Sequence, residues 1–289
     1  MNTDYMKGFL LTALGVLVLS FDALLIRLIN SESFDLLFWR GLLLSVAVFF
    51  WCRFRKPEQA LFSWDAAFIR SALLFTVSAI CFVSAITLTS VANVLVIISA
   101  QPLFAAVMSR VFLREKSSRV TWAAIIVSML GIGWVLAGSW QSPNLTGDLI
   151  ALVCGLSLSA KFVNDRANSK RDMTPALILS GLIIAAISAT FGSPFSLQGP
   201  EWGWMLLLCL VILPLAFILI TLGPMRISAA EVGMLMLLET AMGPLWTWLW
   251  LDEVPSLQAV QGGAVVIGTL LVHGLIQWRR HQRKRQTAV

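Results

Sequence analysis

The sequence predicts an all-α, polytopic membrane protein, with ten transmembrane helices arranged as two inverted five-helix repeats. Three observations carry this. Of the 289 residues, 58% are hydrophobic and only 12% charged, about half the roughly 25% charge of an ordinary soluble domain, so a water-facing surface cannot be assembled from them. Apolar segments of spanning length recur along the chain, and ten helices of about 20 residues each leave connections of about eight. The chain also matches itself at a shift of half its length. No room remains for a second, water-soluble domain.

Taken in order, the apolar segments run at about 6–28, 34–52, 66–87, 91–113, 119–138, 147–164, 174–192, 202–222, 230–251 and 257–278, bounded by Pro, Gly, Ser or charge clusters. The first holds an acid inside and has no small-residue cleavage site, so it reads as a retained helix rather than a signal peptide. Lys7 precedes it. The second closes into Arg53, Arg55 and Lys56, and Arg70 opens the third. The fourth ends at Arg110, Arg114 and Lys116, with Arg119 opening the fifth. Arg166, Lys170 and Arg171 follow the sixth, Arg226 the eighth, and Arg279, Arg280, Arg283, Lys284 and Arg285 the tenth. These alternate connections hold 18 of the 21 basic residues. By the positive-inside rule both termini are cytoplasmic and the helix count is even, in an inner (plasma) membrane.

The same residues explain the net charge of +6. They are spread between apolar runs and form no basic stripe with exposed aromatics, which speaks against a nucleic-acid partner. Cys52, Cys81, Cys154 and Cys209 lie in or beside apolar segments without CxxC or His spacing, so reduced thiols are expected and a metal site is not. No cofactor motif is present.

At a shift of 138, Ser90, Ala92, Val94, Leu113, Glu115 and Ser118 meet Ser228, Ala230, Val232, Leu251, Glu253 and Ser256. At 139, Gly8 meets Gly147, Asp22 meets Lys161 and Arg27 meets Arg166. The halves are therefore read as 1–140 and 141–289. Five helices per half is an odd number, so the halves insert in opposite orientations, the geometry of carriers.

The fourth helix of each half reads SAQPLFAAVMSRVFLREK and LLETAMGPLWTWLWLDEVPS. An apolar run with a proline one third along and a closing Leu-(Gly)-Glu resembles the drug/metabolite transporter superfamily of the EamA type, most sharply at Pro102 with Glu115 and at Glu253. Thr240 stands where the second repeat proline is expected, and Pro244 appears one turn later. The resemblance implies a secondary active or facilitative transporter that moves a small polar, amino-acid-like metabolite by alternating access, commonly outward. Efflux of lipophilic organic cations is the alternative. An enzyme is disfavoured: His273 and His281 are the only histidines, and no HExxH, GxSxG or paired catalytic aspartates occur. The Walker motif is also missing, which excludes direct driving by ATP.

A charge in the bilayer core costs at least a few kcal/mol, so each one there needs a partner, a wet cavity or a task. Asp22 and Arg40 both lie roughly 9 Å from the outer ends of their helices and match in depth. Two readings stand for them: a pair that a substrate carboxylate or a proton opens, or a permanent bridge. Arg27 can snorkel outward. Glu239 falls near the midplane, and its symmetry mate is Gln101, which suggests a cavity on the pseudo-twofold axis with Glu239 binding a proton or a cationic group. Lys161 either snorkels past Asn164 and Asp165 or turns toward Glu239. Trp246, two turns beyond Glu239, either walls the outer half of that cavity or faces lipid. Glu231 complements the dipole of its helix. Glu115 and Glu253 read as clamps accepting from the free N–H groups of the next helix. Pro102 and Pro244 read as hinges. The glycines at 131, 133, 138, 262, 263 and 268 permit close helix approach or a homodimer seam.

Overall fold

The computed structural model describes residues 3–29, 31–55, 61–88, 91–115, 118–137, 145–192, 199, 201–251 and, toward the C-terminus, 257, 260–262, 264, 265, 267–269, 271–273, 275 and 276. Every regular element among them is helical. Helices α1 (Thr3–Leu19) and α2 (Asp22–Ile29) are followed by α3 (Ser33–Arg55), α4 (Ala66–Leu88), α5 (Val91–Ile98), α6 (Gln101–Met108), α7 (Arg119–Ala137), α8 (Leu145–Ala167), α9 (Ala176–Phe191), α10 (Glu201–Leu206), α11 (Leu213–Leu222) and α12 (Ala229–Leu251).

Five stretches are long and apolar enough to cross a bilayer: Asp4–Ile29, Ser33–Arg55, Ala66–Ile86, Glu201–Met225 and Ala229–Leu251. The burial pattern suits the same solvent. Phe54, Phe112, Leu130 and Phe191 lie on the outside, while Thr12, Ser45, Ser71, Thr76 and Ser180 are buried. Inside, hydroxyls bond backbone carbonyls and bridge helices. Ser45 Oγ donates toward Gly41 O and Ile178 O, each at 2.9 Å. Ser180 Oγ reaches Ala176 O at 2.8 Å and Ala72 O at 3.0 Å. Where lipid replaces water, such bonds and close van der Waals contact supply the helix association that the hydrophobic effect cannot.

Three of the expected continuous helices are interrupted. Between α1 and α2 the chain turns at Ser20–Phe21, where Ser20 Oγ bonds back to Leu17 O at 2.6 Å and competes with the helical ladder. Between α5 and α6 it turns at Ser99–Ala100. Pro102 follows, lacking the N–H that would have bonded Ile98, so its ring suits the first turn of a new helix instead. The third break is a π-helical stretch over Leu207–Ile212, just before Pro214, whose missing N–H frees the carbonyl of Leu210 inside that stretch. Pro244 behaves otherwise. Its helix runs without interruption from Ala229 to Leu251, so the expected break there is not seen; the ladder around it continues on both sides, and its side chain lies outside the described residues.

Packing joins the two halves of the chain throughout. α4 lies on α8, α3 on α9, α1 on α11, and α6 on α12. At the α3–α9 crossing a Cβ on Gly181 would fall on Gly41 O and Ser45 Oγ, so only glycine permits this approach. At the α6–α12 crossing a Cβ on Gly233 would stand 3.0 Å from Pro102 Cα. Gly131 faces Val265 and Gly262 O of the same chain, a close approach, whereas a Cβ at Gly133 or Gly268 would meet nothing within 4 Å.

Candidate substrate cavity

These crossings surround a cavity of about 70 Å³. Its polar groups come from two of the helix breaks and from the interiors of α3, α4, α8 and α12. Asp22 is the first residue of α2, Gln101 the first of α6 and Leu213 the first of α11, and all three line the cavity together with Arg40 and Glu239. Interrupted helices that open on a buried cavity expose backbone groups and short polar side chains where an unbroken helix would present only a wall.

Arg40 meets Asp22 end-on. Nη1 donates to Oδ1 at 2.5 Å and Nη2 to Oδ2 at 2.7 Å. The fork-to-carboxylate geometry uses both oxygens of Asp22, and burial removes the water that would weaken it. The pairing expected from matched depth therefore forms. Glu239 shares the same cavity but makes no hydrogen bond among the described residues. Gln101 is only 1% exposed, and both its Oε1 and its Nε2 lack a partner. Its backbone is fixed from α8, where Ser159 Oγ donates to Gln101 O at 3.2 Å. The expected sharing of one cavity by Glu239 and Gln101 is what the fold delivers, with Gly233 bringing their two helices together.

Lys161 stands elsewhere. It is 1% exposed and does not line the cavity. Its Nζ donates to Asp165 Oδ2 at 2.7 Å and to Thr221 Oγ1 at 3.3 Å. Asp165 Oδ1 accepts from Ser71 Oγ at 2.7 Å. The turn toward Glu239 is thus not taken, because a carboxylate one helical turn away on the same helix is nearer at hand. Phe75 separates this cluster from the cavity: Lys161 Nζ lies 5.9 Å from its ring centre, while Phe75 and Phe217 both line the cavity and pack edge to face at 4.7 Å.

Trp246 is likewise not part of the lining. Its Nε1 donates to Ser20 Oγ at 2.7 Å and its ring stacks on Phe21 at 4.3 Å. It braces the α1–α2 break, immediately before Asp22. Glu115 does not cap the following helix. Arg166 Nε donates to it at 2.8 Å from α8, and Ser118 Oγ takes the cap position, accepting from Thr121 N at 3.1 Å. Glu231 keeps its place at a helix start, accepting from Ser228 N and Ser228 Oγ at 2.9 Å each, and adds a bond from Tyr5 OH at 2.9 Å. Glu253 and the basic tail lie outside the described residues.

Ser71, Thr221, Ser78 and the Phe75–Phe217 pair are not apparent in the sequence, where Asp165 stands only as a neighbour of Lys161 and Cys154 only as a thiol in an apolar segment. The i,i+4 spacing of Lys161 and Asp165 is the signal that could have joined them. The partners on other helices left no mark in the chain.

The EamA-like transporter family model matches the chain twice, over residues 6–137 and 145–274. The chain belongs to the EamA-like transporter family. Among curated relatives, the "Uncharacterized transporter YdfC" of Bacillus subtilis (strain 168) is 25% identical over 187 residues, covering 60% of this chain and 58% of the relative's length. The "Pseudopaline exporter CntI" of Pseudomonas aeruginosa (strain UCBPP-PA14) is 24% identical over 194 residues, covering 65% of this chain and 67% of the relative. A solved structure named "Crystal structure of protein" superposes with a TM-score of 0.81, covering 94% of this chain and 98% of its own, at 17% identity. That likeness is one of fold. The molecule is a transporter-family, multi-pass membrane protein.

Proposed function

We propose that this chain carries a small polar organic metabolite, amino-acid-like in size and polarity, across the inner membrane by alternating access, in the direction of export. The observation that carries the reading is the cavity itself, in which a carboxylate without a hydrogen bond, an unpartnered buried amide and a bidentate ion pair face one shared space. Buried polar groups without partners are costly, and a bound solute is what would satisfy them.

Two inverted repeats of five helices fit the packing. With the apolar segments counted in order, α4 on α8 joins the third to the sixth, and α1 on α11 joins the first to the eighth. Exchanging the halves turns one pairing into the other. The second on the seventh and the fourth on the ninth map onto themselves. Alternating access then amounts to rocking one half against the other about the shared cavity, with both termini on the cytoplasmic side.

Efflux of lipophilic organic cations is the second reading, supported by Phe75, Phe82 and Phe217 in the lining beside Glu239. Counterflow separates the two. Purified protein in liposomes is expected to exchange labelled amino-acid-like metabolites, and Glu239→Gln is expected to reduce exchange at least tenfold while the variant elutes as a folded species. Exchange at the wild-type rate in that variant rejects Glu239 as a substrate group. Exchange of tetraphenylphosphonium alone favours the second reading.

A further inference from the structure

The charges around the cavity do not balance. Asp22 and Glu239 bring two carboxyl groups to it, and Arg40 is the one guanidinium among the described lining residues, already held through both of its terminal nitrogens by Asp22. The nearby cation Lys161 is no compensation for Glu239, because it is bonded to Asp165 behind Phe75. An ionised Glu239 would therefore leave one negative charge over in a low-dielectric space, where an unneutralised charge is expensive. Something must supply one positive charge.

Resting on the transport reading above, we propose that the site takes an organic ligand of net charge +1, an amine next to an uncharged hydrogen-bonding group, in one-for-one exchange with a proton carried on Glu239. The amine sits at Glu239. The neighbouring uncharged group bonds Gln101, whose amide offers a donor and an acceptor that nothing else uses. A carboxylate in the same position would restore the surplus negative charge that the amine removes, since Asp22 already occupies the end of Arg40. Phe75, Phe82 and Phe217 add aromatic rings to the lining, which suits a cation. The proton leaves Glu239 for water on the side where the ammonium arrives, and returns when the ammonium departs, so the cavity never opens or closes with an unpaired charge. The titratable groups facing Glu239 are Asp22 and Arg40, with Cys154 in the lining and Cys209 beside the ion pair. The surplus is assigned to Glu239 because Asp22 has its own cation.

The test is a charge series on a constant side chain: leucinamide (+1), leucine (zwitterion) and N-acetylleucine (−1), repeated with the phenylalanine compounds. The amides are expected to raise the melting temperature of the detergent-purified protein and to be exchanged in liposomes. The free acids should do so at least tenfold more weakly, and the N-acetyl compounds not at all. Glu239→Asp keeps a reduced amide response, and Glu239→Gln loses it. Uptake of the amides above protein-free liposomes is driven by an acidic interior and is unchanged by a potassium-diffusion potential. Equal or stronger responses to the free acids, an amide response that survives Glu239→Gln, uptake that follows the potential, or no response to either amide each overturns the proposal. If the zwitterions are carried and the amides are not, the transport reading stands and the charge assignment alone falls. If none is carried, both fall.

Discussion

Lys161 and Asp165 make a buried ion pair one turn apart on α8, completed by Ser71 and Thr221 from two other helices. Removing one partner strands the other charge in an apolar interior, at about 3–5 kcal/mol, whereas replacing both by apolar residues is often neutral. Asp165→Asn is therefore expected to lower the melting temperature in detergent by several degrees, and Lys161→Met with Asp165→Leu to recover most of it. If the double variant is as unstable as the single one, the loss is not that of an unpaired charge. At the membrane edge, Asp65 precedes α4. Its carboxylate accepts from the backbone N–H of Phe68 at 2.8 Å and pairs with Arg171. The Phe68 bond, chiefly, holds its pKa below the ordinary carboxylate range, with Arg171 adding to it. A group whose pKa falls on folding stabilises the protein above its unfolded value, and loses that as pH drops through the folded value. The stability advantage of wild type over Asp65→Asn is thus expected at neutral pH and lost progressively as acid takes the pH down through the lowered folded value. A difference that grows with acid would contradict the assignment.

At the scale of helices, the breaks decide which side chains reach the cavity. The α5–α6 break was legible, because Pro102 lies inside an apolar run and Gln101 stands beside it. The α1–α2 break was not, since Ser20, Phe21 and Asp22 carry no Pro or Gly. What braces it is Trp246, more than 200 residues away along the chain, through its bond to Ser20 and its stack on Phe21. Asp22 and Arg40 match in depth by helix geometry alone, so their pairing is legible in the chain. The partner of Lys161 is not, because it depends on Phe75 and Thr221, which only the fold brings near. Helix crossings add their own constraint. A methyl at Gly181 would collide with Gly41 O and Ser45 Oγ on α3, so Gly181→Ala is expected to destabilise by about 1–3 kcal/mol, as overpacking does. A melting temperature equal to wild type would mean that α3 and α9 separate freely at this point.

Over the whole molecule, pairing of helices between the halves and a cavity between them are the arrangement that alternating access uses. In this conformation the Phe75–Phe217 pair, the Lys161 cluster and the Glu115–Arg166 bridge each join the two halves of the chain. In the proposed topology, opening toward the cytoplasm parts them. Cys154 lines the cavity, which makes it a reporter of access from either side. The most direct measurement is labelling of Cys154, with Cys52, Cys81 and Cys209 replaced by serine, by a membrane-impermeant maleimide applied to right-side-out and to inside-out vesicles. Alternating access predicts labelling from both sides, slowed by a transported compound. Labelling from one side only, or at a rate no transported compound alters, would contradict it.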